Sequence, residues 1–212
     1  MSDLDFFWDP VCPWAWITSR WVTEVQHQRP MTVEWRFISL AMLNEHRTDD
    51  WYTPPYRAVH HAGRQCLRVA DAVRLAHGGD AVGRLYTQLG ERFHPQQRRD
   101  AFLADPVGFI AEALTDAGCD PSLAAEADEA GHDEHIRAET ELALERTGRD
   151  VGTPILTFHP GTDREASFFG PVIARIPRGP EALRLWDAVE TIATTSGLAE
   201  LKRSNRAQIS FD

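Results

Sequence analysis

The amino-acid sequence predicts an α/β fold that is interrupted by a helical insertion. Two short apolar runs flank an amphipathic segment near the start of the chain, which is the pattern of a strand–helix–strand unit. A long stretch of helical periodicity follows, and strand patterning returns only after residue 150. With 212 residues, of which 42% are hydrophobic, the chain is long enough to bury one core and an inserted subdomain.

The opening unit is predicted from three consecutive segments. Leu4 to Trp8 form a short apolar run that suits a strand buried on both faces. From Pro13 to about Gln28, apolar residues recur at three- and four-residue spacing, which predicts a helix that tolerates proline in its first turn. Apolar and polar residues alternate from Val33 to Phe37, as in a second strand. Cys12 is therefore expected at the N-terminus of the first helix.

The middle of the chain is predicted to be helical. Helical periodicity extends from Pro55 to Arg149 and is broken at pairs that contain glycine or proline, from which we predict four helices. The breaks are Gly78-Gly79, His94-Pro95, Asp105-Pro106 and Asp120-Pro121. Each helix carries an apolar stripe, and these stripes are expected to pack together in an inserted domain.

Strand patterning resumes after the insertion. Ile155 to Phe158 and Ser167 to Phe169 predict two strands joined by a polar hairpin loop. Pro180 begins a predicted closing helix, and a shorter helix is expected near Leu198 to Arg203. The order β-α-β, helical insert, β-β-α is that of a thioredoxin fold. Residues 1–54 and 150–212 would form the thioredoxin-like domain, and residues 55–149 the helical insertion domain.

Charge and cysteine content restrict the expected partners. A formal net charge of −10 disfavours nucleic acid and anionic membranes, which are bound by clustered lysine and arginine. The acidic N-terminus does not resemble a signal peptide, and no apolar run reaches membrane-spanning length, so a cytoplasmic protein is expected. Three widely spaced cysteines do not imply a disulfide framework. The sequence lacks a glycine-rich phosphate loop, and we expect no tightly bound nucleotide.

The chemical candidate is Cys12, which directly precedes Pro13 at the predicted helix N-terminus. Unpaired amides and the positive end of the helix dipole stabilise an anion there. Cysteines in such positions can have a pKa lowered from ~8.5 to as little as ~3.5, so we expect Cys12 to titrate below a free cysteine and to act as a nucleophile. The alternative is a small buried core residue, since free cysteine is among the most buried residue types.

The other candidates carry weaker signals. Cys66 and Cys119 lie in the helical insert and are interpreted as inert packing thiols. His132 and His135 have a helical spacing that could suit a metal ion, but we interpret their charged run as a solvated face and expect no metal site. His94 is interpreted either as a helix C-terminal cap or as a pocket residue.

Two motifs together resemble a known family. The segments Phe-Trp-Asp-Pro-Val-Cys-Pro-Trp-Ala-Trp (residues 7–16) and Asp-Val-Gly-Thr-Pro (residues 150–154) resemble the DsbA-like thioredoxin family, in which the second motif carries a cis-proline facing the active cysteine. The tracts at residues 39–45, 168–172 and 176–179 are similar to a narrower group, the actinobacterial mycothiol-dependent reductases, which include a nitroreductase.

This resemblance implies a role for each motif. Cys12 would be the nucleophile, and Thr153 and Pro154 would dock the substrate thiol through backbone contacts. The pocket would be bordered by Pro13, Trp14, Asn44, Tyr56 and His94. Mycothiol would be the cosubstrate, a disulfide or small molecule the substrate, and the protein a monomer or homodimer. Because the strand beginning at Ile155 would pair beside the first strand, we expect a cis Thr153–Pro154 bond against Cys12.

The sequence departs from the family pattern at Ala15, where members usually carry a second cysteine. A dithiol mechanism within this motif is therefore excluded. Two origins of Ala15 stay open: a natural monothiol enzyme, or an engineered substitution that traps a mixed disulfide. Two other functions also stay open. One is an enzyme like the 2-hydroxychromene-2-carboxylate isomerases and kappa-class glutathione transferases, in which this position binds a cofactor thiol without attacking. The other is a catalytically silent binding module.

Overall fold

The computed structural model describes residues 2–212, and its strands form a four-stranded sheet. Strand β1 (Leu4–Trp8) pairs in parallel with β2 (Val33–Phe37) and antiparallel with β3 (Ile155–Phe158), and β3 pairs antiparallel with β4 (Ala166–Phe169). The two central strands, β1 and β3, are buried along their whole length. This burial explains why each of them is apolar except at one residue, Asp5 in β1 and Thr157 in β3.

The helices connect and cover this sheet. In chain order they are α1 (Pro13–Gln28), α2 (Leu40–Leu43), α3 (Pro54–His77), α4 (Gly79–Phe93), α5 (Arg99–Ala104), α6 (Pro106–Asp116), α7 (Asp133–Thr147) and α8 (Gly179–Thr194). Helix α1 is the crossover that parallel neighbours such as β1 and β2 require. Helix α8 packs beside α1, where the Trp21 and Trp186 rings lie 5.4 Å apart. The predicted β-α-β opening, hairpin and closing helix are confirmed.

The insertion contains more elements than the four predicted helices. Its long helices are α3, α4, α6 and α7, and the structure adds the six-residue α5 and two 3₁₀ helices, Pro121–Asp128 and Ala130–His132. These segments span only three to eight residues, which is too few for helical periodicity to become visible. The expected helix near Leu198 to Arg203 is wrong: this stretch has no helical structure and is mostly exposed, so it has no apolar face to bury.

The sheet and the insertion share one hydrophobic core. Tyr86 of α4 stacks on Trp8 of β1 with ring centroids 4.0 Å apart, and Trp16 of α1 meets the same tyrosine edge-on at 5.9 Å. Residues of β1, α1, α3, α4 and α6 belong to one buried cluster. The C-terminal end of β1, where Cys12 lies, is thus enclosed by both parts of the chain. Within residues 2–212, no helix has both the length and the apolar character needed to cross a membrane.

Candidate active site

Cys12 is the N-cap residue of α1. Its backbone is extended, its Sγ accepts a hydrogen bond from the Ala15 N–H at 3.5 Å, and its own N–H donates to the Asp9 carbonyl at 3.1 Å. Pro13 takes the first helical position, where a backbone N–H would have no partner within the helix, so proline costs no hydrogen bond there. The predicted placement of the thiol at a helix N-terminus is confirmed.

The second motif lies directly against Cys12. The Thr153–Pro154 peptide bond is cis, and the Cys12 thiol donates to the Thr153 carbonyl oxygen at 3.5 Å. The two motifs meet because β1 and β3 are neighbours, with Phe7 opposite Ile155. Among residues 2–212, nothing accepts a hydrogen bond from the Thr153 N–H. The predicted cis bond and its contact with Cys12 are confirmed.

The predicted low pKa of Cys12 is wrong for this structure. The residue is only 6% exposed, and this burial raises the pKa of the Cys12 thiol to about 12, because a thiolate there would lose its hydration. Hydrogen bonds from the Ala15 and Trp14 amides lower the pKa, and the nearby Asp9 carboxylate raises it. The helix N-terminus therefore acts as expected, but burial outweighs it. Sequence periodicity locates a helix end without showing how deeply it is buried.

Asp9 is a site residue that the sequence analysis missed. Its side chain is fully buried, with Oδ1 accepting from the Val11 N–H at 3.0 Å and Oδ2 from the Leu40 N–H at 2.8 Å. Burial raises the pKa of Asp9 to about 7, although both amides lower it. Asp9 thus joins the Cys12 turn, which we define as residues 9–12, to α2. A carboxylate immediately after the mostly apolar strand β1 was the available signal.

Helix α3 approaches the Cys12 turn closely at Gly63. A Cβ at this position would lie 2.5 Å from Asp9 Oδ1 and 3.1 Å from Val11 Cγ2, so the approach requires glycine. One turn earlier in α3, His60 is buried and its Nδ1 lies 3.2 Å from the Tyr52 hydroxyl. Burial lowers the pKa of His60 to about 4, so the ring is neutral at pH 7.

His94 is the predicted pocket residue that binds the turn from α4. It is the C-cap of α4, and its Nε2 lies 2.9 Å from the Pro10 carbonyl oxygen. Since a carbonyl can only accept, Nε2 carries the hydrogen. The ring stacks on Trp16 at 6.0 Å, and burial lowers the pKa of His94 to about 4. The helix-cap interpretation of His94 agrees with this position, and its place in a substrate pocket stays a prediction.

The other predicted pocket residues lie at different distances from this centre. Trp14, half-buried, follows Pro13 at the start of α1. Asn44 caps the C-terminus of α2 and donates to the Leu40 carbonyl at 2.8 Å, so it reaches the turn through α2. Tyr56 is 52% exposed at the start of α3, where its ring contacts Trp51 and His60. Thr153 contacts Cys12 itself and His94 contacts Pro10, whereas the contacts of Asn44 and Tyr56 are made to Leu40 and to the Trp51 and His60 rings. That these residues border a substrate pocket stays a prediction.

The candidates that the sequence placed elsewhere are structural. Cys66 and Cys119 are buried thiols whose pKa is raised by burial, as expected for packing residues. The expected solvated face is found at His135, which is exposed, whereas His132 is partly buried. Their Nδ1 atoms lie 2.8 and 2.5 Å from the two oxygens of Asp71, which is buried in α3. Within residues 2–212, no group of three or more such side chains is placed to hold a metal ion.

Comparisons with known proteins agree with this fold. Residues 11–203 match the family model described as Rv2466c-like, mycothiol-dependent nitroreductase Rv2466c. The chain is 30% identical to the uncharacterized protein Rv2286c of Mycobacterium tuberculosis over 214 residues, which cover 96% of this chain and 82% of that protein.

Solved structures of low identity show the same fold. The cytosolic disulfide reductase DsbM from Pseudomonas aeruginosa superimposes with a TM-score of 0.54 at 15% identity, covering 78% of this chain and 88% of that one. A probable DsbA oxidoreductase from Streptomyces coelicolor gives a TM-score of 0.57 at 15% identity, covering 96% and 94%. The predicted thioredoxin-like fold with inserted helices, of the DsbA type, is confirmed.

Proposed function

This chain belongs to the Rv2466c-like family, whose description is that of a mycothiol-dependent nitroreductase, and we propose that it is a thiol-disulfide oxidoreductase with mycothiol as cosubstrate. The observation that carries the proposal is the setting of Cys12. Its Sγ lies 3.5 Å from both the Ala15 N–H nitrogen and the Thr153 carbonyl oxygen, at a helix N-terminus. The amides at the helix N-terminus can stabilise a thiolate, and the backbone of Thr153 beside it can bind an extended substrate.

Thiol-disulfide exchange accounts for the residues at this site. The Cys12 thiolate attacks one sulfur of a disulfide, forms a mixed disulfide with it and expels the other half as a thiolate. Because Ala15 supplies no second thiol, a mycothiol thiolate attacks the mixed disulfide from solution. This second exchange releases the Cys12 thiolate and leaves mycothiol bonded to the first half of the substrate.

A nitro acceptor fits the same stoichiometry. Cys12 and one mycothiol together supply two electrons and two protons, which convert a nitro group to a nitroso group and water and leave Cys12 disulfide-bonded to mycothiol. A second mycothiol then releases Cys12 and forms mycothiol disulfide. The enzyme would work in the cytoplasm, as a monomer or homodimer, on small molecules or disulfides.

Docking is assigned to the backbone of Thr153. Its N–H is without an acceptor in residues 2–212, and its carbonyl lies beside the Cys12 Sγ. An extended thiol compound could pair with both groups as an added strand does, without needing a particular side chain. Trp14 and His94 would border the bound compound on its two sides.

A single-turnover experiment tests this function. Reduced protein is mixed with a disulfide between mycothiol and a chromogenic thiol, and the products are followed by absorbance and intact mass. We expect release of the chromogenic thiol, a Cys12–mycothiol adduct, and removal of that adduct by free mycothiol. Cys12→Ser should form no adduct, whereas Cys119→Ala, which changes another buried thiol, should react normally. A stable disulfide between Cys12 and Cys66 or Cys119 would overturn the monothiol scheme.

A second candidate function is favoured by the protonated state of the thiol. With its raised pKa, Cys12 donates a hydrogen bond to Thr153, as a residue that binds a cofactor thiol without attacking would do. An enzyme like the 2-hydroxychromene-2-carboxylate isomerases or the kappa-class glutathione transferases acts in this way. Such an enzyme would form no adduct in the single-turnover experiment, and Cys12→Ser would stay active because a hydroxyl also donates.

A further inference from the structure

Residues 204–212 lie against the Cys12 site although they belong to no helix or strand. They also lie beyond the part of the chain that matches the family model, which stops at residue 203. Residues 204–208 are exposed, whereas Ile209 and Phe211 are partly buried against the hydrophobic core. Because ordering such a segment opposes chain entropy, particular side-chain contacts must hold it in place.

Two of these contacts are made to side chains next to the Cys12 turn. The Arg206 guanidinium carbon is 5.5 Å from the centre of the Trp14 ring, two residues after Cys12. The Phe211 ring is 5.8 Å from the ring of His94, and His94 in turn is bound to the carbonyl two residues before Cys12. Cation–π and aromatic contacts of this kind are attractive and can hold an irregular segment in place.

A third contact fixes the same segment to the loop that follows β4. The Ser210 N–H donates to the Ala174 carbonyl at 2.8 Å. A few residues earlier in that loop, the Pro171 carbonyl accepts from the Thr18 hydroxyl of α1 at 2.8 Å. In chain order, residues 204–212 therefore contact the start of α1, the loop after β4 and the end of α4.

We propose that residues 204–212 form a strap across the Cys12 turn that admits small disulfides and small-molecule acceptors to Cys12 and excludes protein disulfides. This specificity rests on the proposed function, because it concerns which acceptors the same thiol attacks. A protein disulfide brings a folded surface to the docking backbone of Thr153, and that surface would meet the strap before its sulfur reached Cys12. A small acceptor can enter beside the strap.

The chemistry of Cys12 agrees with a covered site. Burial is the largest cause of the raised pKa of its thiol. Displacing the strap would let water reach the sulfur and stabilise the thiolate. Opening the strap therefore has two consequences, wider access and a more reactive thiol, and an experiment must separate them.

The ratio of two alkylation rates makes this separation. Cys12 is labelled with N-ethylmaleimide and with a maleimide attached to a bulky polymer, which react by the same addition, and modification is located by peptide mass analysis. Both reagents sense the thiolate fraction, so the ratio of the bulky to the small rate reports access alone. No mycothiol, disulfide or nitro compound is used, so the result does not depend on whether the proposed function is right.

Protein lacking residues 204–212 should raise this ratio about tenfold, which corresponds to ~1.4 kcal/mol. Phe211→Ala and Arg206→Ala should each raise it about threefold, as expected for the loss of one ring contact. Arg203→Ala is the matched control, because Arg203 is an exposed arginine of the same region with no aromatic partner in residues 2–212. It should leave the ratio unchanged.

The point variants keep the test decisive if the truncated protein does not fold. Circular dichroism and thermal unfolding establish which variants retain the fold. If folded Phe211→Ala and Arg206→Ala give the same ratio as Arg203→Ala, the strap does not control access and the proposal is overturned. If the ratio rises but the single-turnover experiment gives no adduct, the strap stands and the proposed function fails.

Discussion

Two buried carboxylates, Asp9 at the Cys12 turn and Asp71 in the helical insertion, are held in different ways. Asp71 lies between two histidines, His132 and His135, which can carry a positive charge. Asp9 accepts hydrogen bonds from two backbone amides and meets no cationic side chain among residues 2–212. Burying a charge without a cation is unfavourable, which is why burial raises the pKa of Asp9 to about 7.

These different partners suggest different roles: Asp71 stabilises the fold, whereas Asp9 affects the reactivity of Cys12. Asp71 joins α3 to the start of α7. Its carboxylate contacts His132 and His135, which hold the same two helices together. Asp9 instead keeps its charge near a thiol, where it raises the pKa of Cys12. Charge pairs in the insertion therefore stabilise the fold, while the unpaired carboxylate at the turn makes the thiol sensitive to pH.

His94, which binds the Cys12 turn, and His132, which binds Asp71, should respond to pH in opposite directions, and this is the largest effect that we expect. Burial lowers the pKa of His94 to about 4, below its value of ~6.5 in the unfolded chain. As pH falls from about 6.5 to 4, the unfolded chain takes up a proton that the folded protein does not. His94 should thus remove about 3 kcal/mol of stability over that range.

Urea unfolding at pH 7 and at pH 4.5 measures this loss. His94→Phe, which keeps a ring beside Trp16, should show a smaller difference between the two pH values, and the exposed-histidine variant His77→Phe should match the parent. An equal acid loss in His94→Phe would show that another group is responsible.

For His132, burial lowers the pKa, but hydrogen bonds to Asp71 and Glu126 outweigh it and raise the pKa. Its contribution is present below pH ~6.5 and is lost as pH rises through the raised value.

Replacing the carboxylate of the insertion gives the next largest effect. Asp71→Asn should lower the free energy of unfolding by about 2 kcal/mol at pH 6, because both histidines lose a charged partner and one hydrogen bond cannot form. Alkylation of Cys12 should stay unchanged. Asp163→Asn, an exposed carboxylate on the β3–β4 loop, is the control for charge. A large change in Cys12 reactivity without loss of stability would contradict the structural role of Asp71.

Replacing the carboxylate at the turn should instead change the thiol. Asp9→Asn removes the negative charge that raises the pKa of Cys12, so alkylation at pH 8 should accelerate roughly three- to tenfold, since one pKa unit changes the thiolate fraction about tenfold. In the parent protein, ionisation of Asp9 near pH 7 should make the rise of rate with pH less steep, and the variant should lose this inflection. Matching profiles in the two proteins would show that Asp9 does not influence Cys12.

Most of the framework could be predicted because it depends on neighbours in sequence. The strand at Leu4 to Trp8 and the helix from Pro13 to Gln28 follow from apolar periodicity and from proline's preference for a first turn. The same local signals passed over α5 and the 3₁₀ helices, which are too short for a period to emerge. They also predicted a helix near residue 200, where no core is available to bury one face.

The sequence by itself determined that Cys12 stands at a helix N-terminus, that a proline precedes a central strand, and that Ala15 leaves no second thiol in the motif. Only the tertiary structure decided the state of that thiol. Its raised pKa depends on burial by segments far away in sequence and on the carboxylate of Asp9. Burial and electrostatic interaction depend on distance in space, which local periodicity does not contain, and the contacts of residues 204–212 arise for the same reason.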